Sequence, residues 1–184
     1  MLSSLKLHPD SLSIAVTSIE VDAARSRADS LVLSYILTGK LRDVLMPPVM
    51  ASTRRHELWR HTCFEVFVRA SVGSVYYEFN FAPSTQWAAY RFSNYRSGMS
   101  VAMDVGVPII EVQSSPDHYT LQATLGLDRL SELPRRAVWR LGLSAVIEEA
   151  DHRISYWALT HPPGKPDFHH TDCFVHELLP ALVS

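Results

Sequence analysis

The 184-residue chain has only seven glycines, and none of them forms G-x-G-x-x-G or G-x-x-x-x-G-K. Phosphate-cradling loops of those kinds need glycine because backbone amides must approach the ligand with no Cβ in the way, so both are excluded. There is no G-x-S-x-G elbow for a nucleophilic serine. The cysteines are two, Cys63 and Cys173, too few and too far apart for a disulfide framework. The run His169-His170-x-x-Cys173-x-x-His176 lacks the second ligand pair of a zinc signature, and no D-x-D-x-D-G loop offers a calcium site. The expected metal and cofactor complement is therefore none. No stretch reaches the ~20 apolar residues that span a bilayer. Lys6, His8, Pro9 and Asp10 interrupt the region where a secretory signal would be continuously apolar. The expectation is a cytoplasmic protein with reduced thiols and no membrane partner. Positive charge is also short: 17 Lys and Arg against 19 Asp and Glu give a net charge of −2. Without a basic field to release counterions, nucleic acid is not an expected partner. The one basic cluster, Arg54-Arg55-His56, reads as a solvated loop.

What the chain has is alternation. Apolar residues make up 47% of it, enough for a core in a single domain over 1–184. Leu12, Ile14 and Val16 alternate with small polar or short residues, and Leu31, Leu33, Tyr35 and Leu37 do so in a run that Gly39 closes. This spacing predicts strands in both places, the second apolar on both faces. Further strands are expected at 64–68, 75–81 and 87–92, and as hairpins at 109–112 with 118–125 and 139–147 with 154–159. Cys173 and Val175 would begin a closing strand. Helix is expected only as a short turn at 127–133. Many short strands joined by tight turns define an all-β class, a jelly-roll-like antiparallel β-sandwich.

Residues two apart on a strand share a face. Tyr77, Phe79 and Phe81 make one face wholly aromatic, hence core, and leave Tyr76, Glu78 and Asn80 opposite. On the preceding strand Phe64, Val66 and Val68 oppose Cys63, Glu65 and Phe67. If the two strands pair, Glu65 sits beside Glu78 or Asn80, with Phe67, Tyr76 and Trp59 nearby. Carboxylates and amides bond sugar hydroxyls, and aromatic rings cover the apolar faces of a pyranose. Trp59, Trp87 and Trp157 lie at strand ends, where binding residues collect, and are the candidate stacking rings. Trp139, within an apolar strand, is expected in the core. The segment 160–172 holds His161, Lys165, Asp167 and His169 among three prolines. Proline restricts it before a ligand arrives, so it could close over the acidic face. Arg96 and Lys165 would matter most for an anionic ligand. Paired carboxylates also suit glycoside hydrolysis, with Glu65 and Glu78 as the pair.

The residues Leu58-Trp59-Arg60-His61-Thr62-Cys63-Phe64-Glu65-Val66-Phe67 and Tyr76-Tyr77-Glu78-Phe79-Asn80-Phe81-Ala82-Pro83-Ser84 resemble DOMON-like domains, relatives of family 9 carbohydrate-binding modules. The tail from Tyr156 through His161-Pro162-Pro163-Gly164-Lys165-Pro166-Asp167-Phe168-His169 resembles an uncharacterised bacterial branch of that group. The resemblance implies a jelly roll whose concave side binds sugar or haem. It matches Trp59 and Trp157 to the two clamping rings, and Glu65 and Asn80 to polar cleft positions. In haem-binding relatives a Met and a His are axial ligands, for which Met46, Met50, Met99 and Met103 are available here. The Asp that often precedes the strand is Thr62 or Cys63 in this chain. The expected function is non-catalytic binding of a small polar ligand, a saccharide or sugar derivative. The expected ligand-binding residues are Trp59, Glu65, Glu78, Asn80, Trp87, Arg96, Trp157, His161, Lys165, Asp167 and His169. A paired-carboxylate hydrolase and a haem-binding domain are the alternatives.

Overall fold

The computed structural model describes residues 2–25 and 27–181. Its strands, in chain order, are β1 (Ser3–Ser4), β2 (Lys6–Leu7), β3 (Val16–Ala24), β4 (Ser30–Gly39), β5 (Cys63–Ala70), β6 (Tyr76–Phe81), β7 (Trp87–Phe92), β8 (Ser100–Val101), β9 (Ile109–Ser114), β10 (His118–Gly126), β11 (Trp139–Glu148), β12 (Ile154–Ala158) and β13 (His176–Leu178). They form two sheets, ordered β1-β3-β4-β10-β9 and β2-β12-β11-β5-β6-β7-β8, with β13 joining the second on β11. All the strand pairings are antiparallel. Among the described residues, helix is confined to single 3-10 turns at Leu41–Asp43, Leu58–Arg60 and Thr171–Cys173. This is the all-β sandwich the alternation calls for.

The sheets meet through the faces that parity assigns to the core. Leu31, Leu33, Tyr35 and Leu37 of β4 are fully buried, while the residues between them are half-buried. They meet Phe64, Val66 and Val68 of β5, Tyr77, Phe79 and Phe81 of β6, and Trp139 of β11. Each such side chain contributes roughly 1.5–3 kcal/mol on leaving water. Tyr35 spans the layer, and its hydroxyl donates to the Glu65 carbonyl at 2.6 Å, so a buried polar group is satisfied across the sandwich.

The larger sheet is buried on its second face as well, and that is where the candidate site lies. β5, β6, β7 and β11 are buried almost without interruption. On the outer face Cys63, Phe67, Tyr76, Tyr90, Phe92 and Val146 pack under Leu58, Phe168 and Phe174, which belong to covering loops. Gly142 permits this cover, because a Cβ there would stand 3.2 Å from the Cys173 carbonyl oxygen. Cys63 and Cys173 are both buried and unpaired.

Three sequence expectations need correction. Leu12 and Ile14 are exposed and lie outside the strand, which starts at Val16. The reason is Glu149, whose Oε1 accepts from the Ser13 hydroxyl at 2.7 Å and from the Ile14 and Ala15 amides at 2.9 and 3.1 Å. A side-chain acceptor has taken the donors a ladder would need. Residues 127–133 form successive turns (Leu130 N to Leu127 O, Leu133 N to Leu130 O) instead of a helix, with Leu127, Leu130 and Leu133 buried. The closing strand starts at His176. Cys173 ends a 3-10 turn and Val175 faces solvent.

Candidate functional site

The β5–β6 register sets Glu65 opposite Asn80 and Phe67 opposite Glu78. Glu65 and Glu78 are therefore diagonal neighbours on the outer face. On the other side of β5, Ser144 of β11 stands opposite Glu65, and its hydroxyl donates to Glu65 Oε2 at 3.3 Å. β7 sets Phe92 opposite Tyr76. Over this surface the covering loops leave a cavity of about 380 Å³, within the ~300–1,000 Å³ of small-molecule sites. Glu65 and Glu78 form its floor. Trp59, Phe67, Phe92, Tyr156 and Phe168 give it aromatic walls, and Arg96, Met99, Val146, Pro166 and His169 complete the lining.

Arg96 reaches the rim from a tight turn. It adopts a left-handed backbone, φ 49°, two residues before Gly98 at φ 62°, a conformation costing a non-glycine residue roughly 1–3 kcal/mol. The turn points the Arg96 amide at the Tyr76 hydroxyl, 3.2 Å away. The guanidinium donates to Asp167 Oδ1 through Nε at 3.1 Å and Nη2 at 2.7 Å. The Tyr95 hydroxyl donates to the other Asp167 oxygen. Asp167 Oδ1 also accepts from the His169 amide at 3.1 Å. One carboxylate thus fixes the 160–170 loop to the β7–β8 turn.

The electrostatics are those of a desolvated site. Glu65 is 2% exposed and Glu78 is 5% exposed. Burial, then the charge of Glu78, pushes the Glu65 carboxyl well above the usual range. Burial raises Glu78 to about 7 against the opposing effects of the Asn80 amide, which donates to its Oε1 at 2.7 Å, and of Arg96. His169 Nδ1 is hydrogen-bonded to the Tyr76 hydroxyl at 2.8 Å, and its Nε2 faces Glu78 Oε2 at 3.7 Å. Burial and the Arg96 charge lower this imidazole to about 4, so it is neutral near pH 7. Burial acts upward on Asp167, and hydrogen bonds from Arg96 and Tyr95 overcome it to hold the carboxyl low.

Of the sequence candidates, the structure gathers Trp59, Glu65, Glu78, Arg96 and His169 around one cavity. Asn80 and Asp167 lie behind it, holding Glu78 and Arg96. Trp87 and Trp157 require correction. They are 2% and 5% exposed and belong to the inter-sheet core. Trp87 pairs with core-facing Phe81, and the Trp157 indole donates to Ser155 Oγ at 3.0 Å. Neither ring presents a face to a ligand. His161 is also elsewhere, its Nε2 bonded to the Lys6 carbonyl at 2.8 Å. Lys165 is exposed on a shallower hollow beside Tyr95, Pro163 and His170. Sequence reasoning missed Phe92, Tyr156, Phe168 and Ser144. Parity could have found Phe92 and Ser144, since each is in phase with the acidic face once the strands are paired.

Met46 and Met50 line a second cavity of about 580 Å³ with His56, His61 and Glu148, whereas Met99 lines the first cavity and Met103 faces solvent. The two histidines are engaged, His56 with the Tyr90 hydroxyl at 2.9 Å and His61 with Glu148 at 2.7 Å.

No protein-family model matches the chain, and no curated protein matches it. Its fold is nevertheless shared with solved structures. A candidate carbohydrate-binding protein from Bacteroides uniformis superposes with a TM-score of 0.70 at 12% identity, covering 95% of this chain and 84% of that one. A family 9 carbohydrate-binding module from Caldicellulosiruptor kristjanssonii, solved with cellotriose, superposes at 0.58 with 11% identity, covering 100% and 84%. At these identities the class these likenesses define is one of fold, an antiparallel β-sandwich shared with both structures.

Proposed function

We propose that this chain binds a small saccharide, without turning it over, in the cavity floored by Glu65 and Glu78. The observation that carries the reading is the meeting of two buried carboxyls with Trp59, Phe67, Phe92 and Tyr156 in one hollow. Oriented oxygens recognise hydroxyls, and ring faces cover the C–H surface of a sugar. The fold supports the reading, since the cellotriose-bound module shares it, as does the DOMON-like resemblance of residues 58–67 and 76–84. Pre-organisation supports it too. Asp167 already holds the loop that closes the cavity, so little ordering cost remains for the ligand. Soluble sugars in the cytoplasm are the ligands this reading favours.

The test is a panel of mono- and disaccharides in a thermal-shift assay, followed by calorimetry and product analysis. A ligand at one hundred times its Kd adds about 2.7 kcal/mol of stability. The expected result is a saturable shift with an unchanged sugar, abolished in Trp59→Ala. Release of a shortened or hydrolysed product would replace this reading with the paired-carboxylate one.

A further inference from the structure

We infer that the sugar taken by this cavity carries a free amine, bound as its ammonium between the Glu65 and Glu78 carboxylates and the surrounding rings. The inference deepens the saccharide reading and rests on it. It starts from a charge balance inside the cavity. Two carboxyls lie on one sheet face, and among the described residues their side-chain hydrogen-bond donors are Ser144 on Glu65 and Asn80 on Glu78, both neutral. The groups that face them from the packed elements are Cys63 on β5, Tyr76 on β6, Tyr90 on β7, Tyr35 from across the sandwich, and His169 and Arg96 from the loops. Burial raises the thiol and the phenols, which leaves them uncharged. His169 is held neutral. Arg96 is the cation at the rim, and both its Nε and Nη2 are spent on Asp167.

Among the described residues no cation is thus hydrogen-bonded to either carboxyl: Arg96 acts on Glu78 only from the rim, with its Nε and Nη2 held by Asp167. A neutral sugar would leave that unanswered. An ammonium group answers it twice, by pairing with the carboxylates and by lying against ring faces, whose negative quadrupole attracts a desolvated cation. Trp59, Phe67, Phe92 and Tyr156 supply those rings. The proton balance follows. At each carboxyl that is protonated when R–NH3+ arrives, the O–H bond breaks and the proton leaves to solvent, so the complex retains the ammonium between two carboxylates. Binding of a neutral sugar requires no such release.

Calorimetry at pH 6.5 in two buffers of different ionisation enthalpy tests this. The probes are glucosamine, galactosamine and mannosamine, each beside its parent hexose and its N-acetyl derivative. The expected result is at least tenfold tighter binding of a free-amine sugar than of its two neutral counterparts, with net proton release and with affinity rising from pH 5 to 7. Glu78→Gln and Glu65→Gln should reduce that preference while neutral-sugar binding changes less. Equal binding of parent hexose and amino sugar, or amino-sugar binding without proton release, overturns the amine inference and leaves the saccharide reading standing. Failure of every sugar to bind to wild-type protein overturns both.

Discussion

Arg96 and Asp167 form a two-point hydrogen bond, Nε and Nη2 on a single carboxylate oxygen at 3.1 and 2.7 Å, and so join two loops that are 71 residues apart in the chain. The pair is partly exposed, so its worth to global stability is small, about 0–1 kcal/mol. Its effect is local, because Tyr95 and the His169 amide converge on the same carboxylate. Arg96→Ala and Asp167→Asn should each leave global unfolding within about 1 kcal/mol of wild type. Amide exchange in residues 160–170 should accelerate by tenfold or more, and sugar affinity should fall. Unchanged exchange in that loop would show that something other than this carboxylate holds it.

The three tryptophans expected at the site separate by location. Trp59 is half-buried at the cavity and Trp87 and Trp157 are in the core. Replacing either core indole by alanine should cost about 3–5 kcal/mol. Trp59→Ala should cost no more than about 2 kcal/mol yet remove sugar binding. Equilibrium urea unfolding of the three variants, paired with calorimetry, decides this. Binding retained in Trp59→Ala would exclude the indole as a wall of the ligand site.

Much of this arrangement was legible in the sequence, because parity is a local signal. The alternation in 63–68 and 76–81 gave both faces of both strands, and pairing them brings Glu65, Glu78 and Asn80 together as the register shows. Strand-end position misplaces Trp87 and Trp157, whereas parity puts both in the core. Trp87 is in phase with Ala89 and stands opposite Phe81, which points inward. His169 and Phe168 could not be placed over the cavity from sequence alone. Their segment has no period, and its path is fixed by Asp167 bonding a residue 71 positions away. The exposed start at Leu12 and Ile14 failed for a similar reason, since the distant Glu149 takes the local amides.

Glu149 carries the next expectation. Its carboxylate is buried and accepts a hydroxyl and two amides. Hydrogen bonds to a charged group contribute about 1.5–3 kcal/mol each, less than additively. Glu149→Ala should therefore destabilise the fold by about 2–4 kcal/mol, and leave sugar affinity in the remaining folded protein unaltered. A loss within about 0.5 kcal/mol, the range of ordinary surface changes, would contradict the role given to this side chain.

Stability should vary with pH in a sense set by the buried site. Glu65 and Glu78 titrate above the ordinary 4.5, Glu78 at about 7. Between these values the folded chain holds protons that the unfolded chain has released, so their contribution falls as pH rises through that window. His169 acts oppositely. Its folded value of about 4 lies below the ordinary 6.5, so its contribution is complete above 6.5 and is lost as pH falls toward 4. A Glu65→Gln/Glu78→Gln double variant removes the first effect and keeps the second. Its stability relative to wild type should climb between pH 5 and 8 by at least about 1 kcal/mol, or roughly 2–4 °C in Tm. A difference that does not change with pH would mean that the two carboxyls titrate normally.

The cavity itself is tested most directly by side-chain NMR of the full chain titrated with the sugar panel. The Trp59 indole and His169 ring signals should shift together and saturate at one Kd, with the Trp87 and Trp157 indoles unmoved. Saturable shifts confined to Met46, Met50 and His61 in the second cavity, or none with any sugar, would contradict saccharide binding over Glu65 and Glu78.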